Sequence, residues 1–120
     1  MSRSDRDRFH DMLAALERCE RFSSYLYADN AAIADMAFDA ILRNLAVVGE
    51  AARALPDETR KLFEAVPWHS IAGLRNVVVH EYFRVEAEVI RDIVENEVAP
   101  LATSIRAYLA SSENPDQDDA

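Results

Sequence analysis

The sequence predicts an all-α fold, an antiparallel up-down bundle of four to five helices. Three observations carry this expectation. Half of the 120 residues are apolar, only two are Gly and four are Pro, a balance that favours long regular elements over a turn-rich β architecture. Apolar residues then recur at three- and four-residue steps through long segments. The turn-forming residues fall between those segments, which leaves short connections of the kind that join antiparallel helices.

Ser4, followed three residues later by Asp7, resembles a capping box, and Phe9, Met12, Leu13, Leu16, Cys19 and Phe22 follow at helical spacing. A first helix is predicted from Asp5 to Tyr27. Ala28-Asp29-Asn30 supplies a turn with capping side chains, after which Ile33, Ala37, Ile41, Leu45, Val48, Ala52 and Leu55 mark one stripe of a second helix. Pro56 ends it, and Pro67 separates a short helical piece, Glu58 to Ala65, from the segment that begins at Trp68. Ile71 to Val79 is locally ambiguous. Its Val77-Val78-Val79 run favours a strand, but a lone strand would have no sheet partner, so consistency with the rest of the chain selects helix. The last long helix spans Glu86 to Leu109, with a kink expected at Pro100, where a backbone donor is missing. One domain is expected over residues 1–110, followed by a disordered acidic tail, 111–120, that contains Asn114-Pro115-Asp116.

Composition also narrows the function. No apolar stretch approaches the roughly 20 residues that span a bilayer, and the charged N-terminus leads into no signal-like core. A cytoplasmic protein with no membrane association is expected. Cys19 is the single cysteine, so no internal disulfide forms, and its place in an amphipathic run points to a buried, inert thiol. The net charge of −9 argues against a broad basic surface for nucleic acid. Without the tail's four acidic residues, however, 18 of the 22 carboxylates face 13 basic groups, and between Arg60 and His80 the balance reverses, with Arg60, Lys61 and Arg75 against Glu64. A local electropositive site is therefore compatible with the acidic whole.

There is no Gly-rich phosphate loop, no Cys/His set with zinc spacing and no Gly-x-Ser-x-Gly turn. No metal and no cofactor are expected. The many carboxylates read as solvated helix faces rather than as a paired metal site. Glu50, after Gly49 in an apolar helix, faces either a cleft or solvent. The segment Arg75-Asn76-Val77-Val78-Val79-His80-Glu81-Tyr82 stands apart, because polar groups suited to a phosphodiester punctuate an apolar run. A histidine can accept the proton of a ribose 2′-hydroxyl, a guanidinium can stabilise charge developing on phosphorane oxygens, and Asn76 can orient either. Each residue also has a plain structural reading: His80 as a helix C-terminal cation, Arg75 as a surface ion pair, Tyr82 as an interfacial aromatic. On a helix, Asn76 and His80 share a face while Arg75 and His80 lie roughly 140° apart. A single copy would make a poor pocket, whereas two copies about a two-fold axis would gather both pairs around one groove.

In this segment the chain resembles the HEPN superfamily, whose signature is Arg, four to six residues, then His, with a polar residue often directly after the Arg. Arg75, Asn76 and His80 fit that pattern. His80-Glu81-Tyr82 matches the His-x-Tyr ending of HepT-like toxins, and Val47 to Ala52 and Pro67 to Leu74 look like their flanking segments. The similarity runs from about Arg6 to Leu109. His69, where Arg or Lys is frequent, and Ile90-Arg91-Asp92-Ile93, where an aromatic is frequent, depart from the family pattern. The resemblance implies the toxin of a toxin–antitoxin pair, a metal-independent endoribonuclease acting on tRNA or mRNA as a homodimer. Arg75 and His80 would be catalytic and Asn76 supporting. It further implies a cognate minimal nucleotidyltransferase antitoxin that neutralises the toxin by transferring AMP to Tyr82. The alternative is a non-catalytic helical subunit that binds substrate for a nucleotidyltransferase complex.

Overall fold

A computed structural model describes residues 3–63, 66–73 and 87–112. Its elements are α1 (Arg3–Ser23), α2 (Ala31–Ala54), α3 (Asp57–Arg60) with a 3₁₀ turn at Lys61–Phe63, α4 (residues 68–73), α5 (Ala87–Ile93), a π turn at Val94–Val98, and α6 (Ala99–Ser112). Among the described residues there is no strand, and the expected all-α architecture holds.

The helices assemble because their buried residues repeat at three- and four-residue intervals. Phe9, Met12, Leu16 and Cys19 of α1, Ile41, Leu45, Val48 and Ala52 of α2, and Leu101, Ile105 and Leu109 of α6 lie in one contiguous core. Contacts fix the directions. Cys19 Sγ donates to the Ile41 carbonyl at 3.9 Å, while Phe22 and Tyr25 lie beside Ala37 and Ile33, so α1 and α2 are antiparallel. Arg6 donates to the Leu109 carbonyl at 3.4 Å and Arg106 reaches Glu17 and Glu20, so α6 runs antiparallel to α1. The Cys19 thiol is held up to about 12, first by burial and then by Glu20, which makes it the inert core thiol that the sequence implied.

Three elements differ from the sequence expectation. First, α1 begins at Arg3, so Ser4 lies inside the helix rather than at a capping box, and α1 ends at Ser23 rather than Tyr27. Ser23 and Ser24 turn their hydroxyls back onto the Glu20 and Arg21 carbonyls at 2.9 and 3.2 Å. Three-residue bonds from Tyr25, Leu26 and Ala28 tighten the exit. Second, the short helix starts at Asp57 and becomes 3₁₀ at Lys61. Third, the irregularity expected at Pro100 takes the form of the π turn immediately before it, in which the Ala99 N–H bonds to the Val94 carbonyl. α6 then continues to Ser112, and the remainder of the expected tail, 113–120, lies outside the described residues.

The start of α2 is the best-defined cap. Asn30 Oδ1 accepts from the Ala32 and Ile33 N–H groups at 2.9 and 3.2 Å. Asn30→Ala is expected to cost about 1 kcal/mol, seen as a lower urea midpoint with an unchanged slope.

Candidate active site

The segment 74–86 lies outside the described residues. It carries all four residues singled out for chemistry: Arg75, Asn76, His80 and Tyr82. What the structure defines is the platform that leads into them, α3, the 3₁₀ turn and α4, and how the bundle holds it.

Two buried arrangements fix that platform. Thr59 Oγ1 donates to Asp5 Oδ2 at 3.1 Å, and Asp5 Oδ1 accepts from Arg8 at 3.2 Å. Thr59 and Asp5 are buried, so this bond ties α3 to the first turns of α1 at a place where an unpaired carboxylate would be costly. The second arrangement is aromatic. The Phe63 ring sits 5.3 Å from Phe9, 5.1 Å from Tyr108 and 6.0 Å from Trp68, the last edge-on, and Phe9 meets Tyr108 at 5.3 Å. Rings from α1, α6, the 3₁₀ turn and α4 thereby lock together in tilted and edge-on geometries. Trp68 adds a bond from its indole N–H to the Arg60 carbonyl at 2.9 Å. Ile71, fully buried, anchors α4 to the core.

Between these elements lies an open depression of about 510 Å³, bordered by Asp57, Arg60, Lys61, Phe63, Trp68, His69 and Ala72. Arg60 pairs with Asp57 one turn earlier on α3, while Lys61 and His69 are exposed. Sequence reading noted the basic excess of this stretch but missed that Phe63 and Trp68 wall it. The wall depends on contacts with Phe9 and Tyr108, far away in the chain. A second depression, of about 430 Å³, lies between α1 and α2 and is bordered by Phe22, Tyr25, Ile33, Met36, Ala37 and Ala40. It offers shape without reactive groups.

Glu50 is exposed on α2, which places it on a solvated face. No group of His, Cys, Asp and Glu among the described residues has the arrangement of a metal site, and no described helix is long and apolar enough to cross a membrane.

Comparison with known proteins identifies the lineage. The family model "Ribonuclease HepT-like" matches residues 12–108, a span that includes the platform and the segment from Arg75 to Tyr82. The chain is 28% identical over 101 residues to "Probable ribonuclease HepT" of Thermococcus cleftensis, covering 84% of this chain and 92% of that protein. It is 34% identical over 93 residues to "Putative RNase MJ0127" of Methanocaldococcus jannaschii, covering 69% of this chain and 77% of that one. No solved structure matches. With a family match across most of its length and a helical bundle to accompany it, the chain belongs to the ribonuclease HepT-like family of the HEPN superfamily.

Proposed function

We propose that this protein is a metal-independent endoribonuclease and the toxin of a toxin–antitoxin pair, cutting tRNA or mRNA in the cytoplasm at a groove built by two copies of the chain. The observation that carries this reading is the family match over residues 12–108, a span that contains Arg75, Asn76 and His80 in the order and spacing of the signature that the chain resembles. In the reaction, His80 accepts the proton of the ribose 2′-hydroxyl as that oxygen attacks phosphorus. The P–O5′ bond breaks, and the leaving oxygen takes up a proton to become a 5′-hydroxyl. Arg75 stabilises the charge on the non-bridging oxygens, and Asn76 orients its neighbours.

Support for the homodimer comes from α2. Its buried residues occupy one side, while Met36 and Val47, 63% and 38% exposed, lie about 20° apart on the helical wheel beside Ile33, the exposed end of the buried stripe. Exposed apolar residues on a helix whose buried stripe already faces the core suit a self-complementary contact.

The product chemistry tests the activity. RNA cut by the purified protein is expected to carry 2′,3′-cyclic phosphate and 5′-hydroxyl ends, as read by end-specific ligation. Fragments with 3′-hydroxyl and 5′-phosphate ends would refute attack by the 2′-oxygen.

In the same reading a minimal nucleotidyltransferase antitoxin transfers AMP to the Tyr82 hydroxyl, bringing negative charge and bulk to the RNA groove. Incubation with that partner and ATP is expected to add about 329 Da per AMP, the mass of the transferred group. A Tyr82→Phe protein that gained the same mass would assign the modification elsewhere.

A further inference from the structure

The depression beside α3 and α4 has no part in the chemistry assigned to Arg75 and His80, yet its walls have a consistent character. One side is aromatic. The Trp68 indole N–H is already committed to the Arg60 carbonyl, so what the ring contributes to the cavity is π surface and not a donor. Phe63, held against Phe9 and Tyr108, stiffens that wall from behind. The other side is cationic, with Arg60, Lys61 and His69 around the opening and Asp57 as the one carboxylate among the described lining residues. The chain as a whole carries a net charge of −9, so these basic groups beside an aromatic wall run against its overall balance. A volume of about 510 Å³ falls within the range of sites that hold a small-molecule-sized group.

Position adds a second argument. Ala72 borders the cavity, and Arg75 follows it by three residues, a stretch of chain that spans at most about 11 Å. Successive phosphates of a single RNA strand lie closer together than that, so this reach covers one to two nucleotides. A strand reacting near Arg75 therefore has a flanking nucleotide within reach of this cavity.

We infer that the cavity between α3 and α4 is a substrate subsite, which holds one unstacked base of single-stranded RNA against Trp68 and its adjoining phosphate on Lys61, with Arg60 and His69 at the rim. This rests on the ribonuclease reading and adds to it a site for a nucleotide flanking the scissile bond. Aromatic stacking tolerates any base, because every base has a π face. The subsite would strengthen RNA binding without choosing the sequence, and it would favour unpaired over duplex RNA. The Arg60–Asp57 pair would loosen as phosphate competes for the guanidinium.

Trp68 is the only tryptophan, so its fluorescence reports on the cavity directly. The probe is an eight-nucleotide 2′-O-methyl RNA, which lacks the attacking hydroxyl and stays intact, titrated in EDTA while anisotropy and Trp68 emission are followed. Binding is expected to quench Trp68 in step with the anisotropy. Lys61→Glu is expected to weaken binding about tenfold and to lower the slope of log K against log salt by about 0.7, the loss of one single-strand phosphate contact. His69→Ala should weaken it about threefold. Arg18→Glu makes the same charge change about 20 Å along α1 from Asp5, and it should leave affinity within twofold. Matched far-ultraviolet spectra and melting temperatures keep the variants comparable.

Binding without quenching, or equal losses in Lys61→Glu and Arg18→Glu, would remove the subsite while unmodified RNA is still cut. Absence of binding alongside persistent cleavage would also remove it. Absence of both would bring down the ribonuclease reading as well.

Discussion

Phe9→Ala is expected to destabilise the protein by about 3–5 kcal/mol, a large part of the 5–15 kcal/mol that holds a domain of this size together. Phe9 is fully buried and its ring contacts both Phe63 and Tyr108 at 5.3 Å, so truncation opens a cavity where α1, the 3₁₀ turn and α6 meet. The melting temperature should fall by roughly 10–25 °C. Cys19 provides an internal reporter. Its thiol is buried and held up to about 12 in the native protein, so labelling by a thiol reagent at neutral pH should follow unfolding and accelerate in the variant. A Phe9→Ala protein as stable as the wild type, with Cys19 equally protected, would show that the aromatic cluster does not brace the platform.

The second large effect is on catalysis. His80→Ala is expected to lower kcat by about 10²–10⁴, the usual worth of a positioned general base, and Arg75→Ala by about 10²–10³, comparable with the loss of a group that stabilises transition-state charge. Asn76→Ala should cost less, because it acts through its neighbours. These losses should fall on kcat with KM little changed, as for interactions made in the transition state. A Lys61→Glu protein should show the reverse, a raised KM with kcat nearly kept. Retention of wild-type kcat by both His80→Ala and Arg75→Ala would move the chemistry to other residues.

Much of the fold was legible because its determinants are local. Ala37, Ile41, Leu45, Val48 and Ala52 announce α2 by spacing alone, and all are buried. Ile33 belongs to the same stripe in sequence but is exposed in the structure. The reason is its partner's length: α1 ends at Ser23, so the stripe on α2 outruns the helix that would cover it. That ending was itself obscured, because apolar periodicity continues past Ser23 while two serine hydroxyls bond back to the helix carbonyls. At Pro100 the sequence signalled a disturbance, but not that a π turn would absorb it.

The motif from Arg75 to Tyr82 was readable for the opposite reason to the cavity. The residues proposed for chemistry are near neighbours in the chain, so order and spacing alone single them out. The cavity is built from Lys61, Trp68 and His69 only once Phe63 meets Phe9 and Tyr108, contacts that join opposite ends of the chain and leave no local pattern.

The most direct test of the central claim is digestion of total tRNA by purified wild-type protein in EDTA, run beside Arg75→Ala and His80→Ala proteins of matched purity and oligomeric state. Discrete cleavage by the wild type, undiminished by the chelator and lost in both variants, is the predicted result. Cleavage that disappears with EDTA, or that persists equally in both variants, would contradict a metal-independent ribonuclease working through Arg75 and His80.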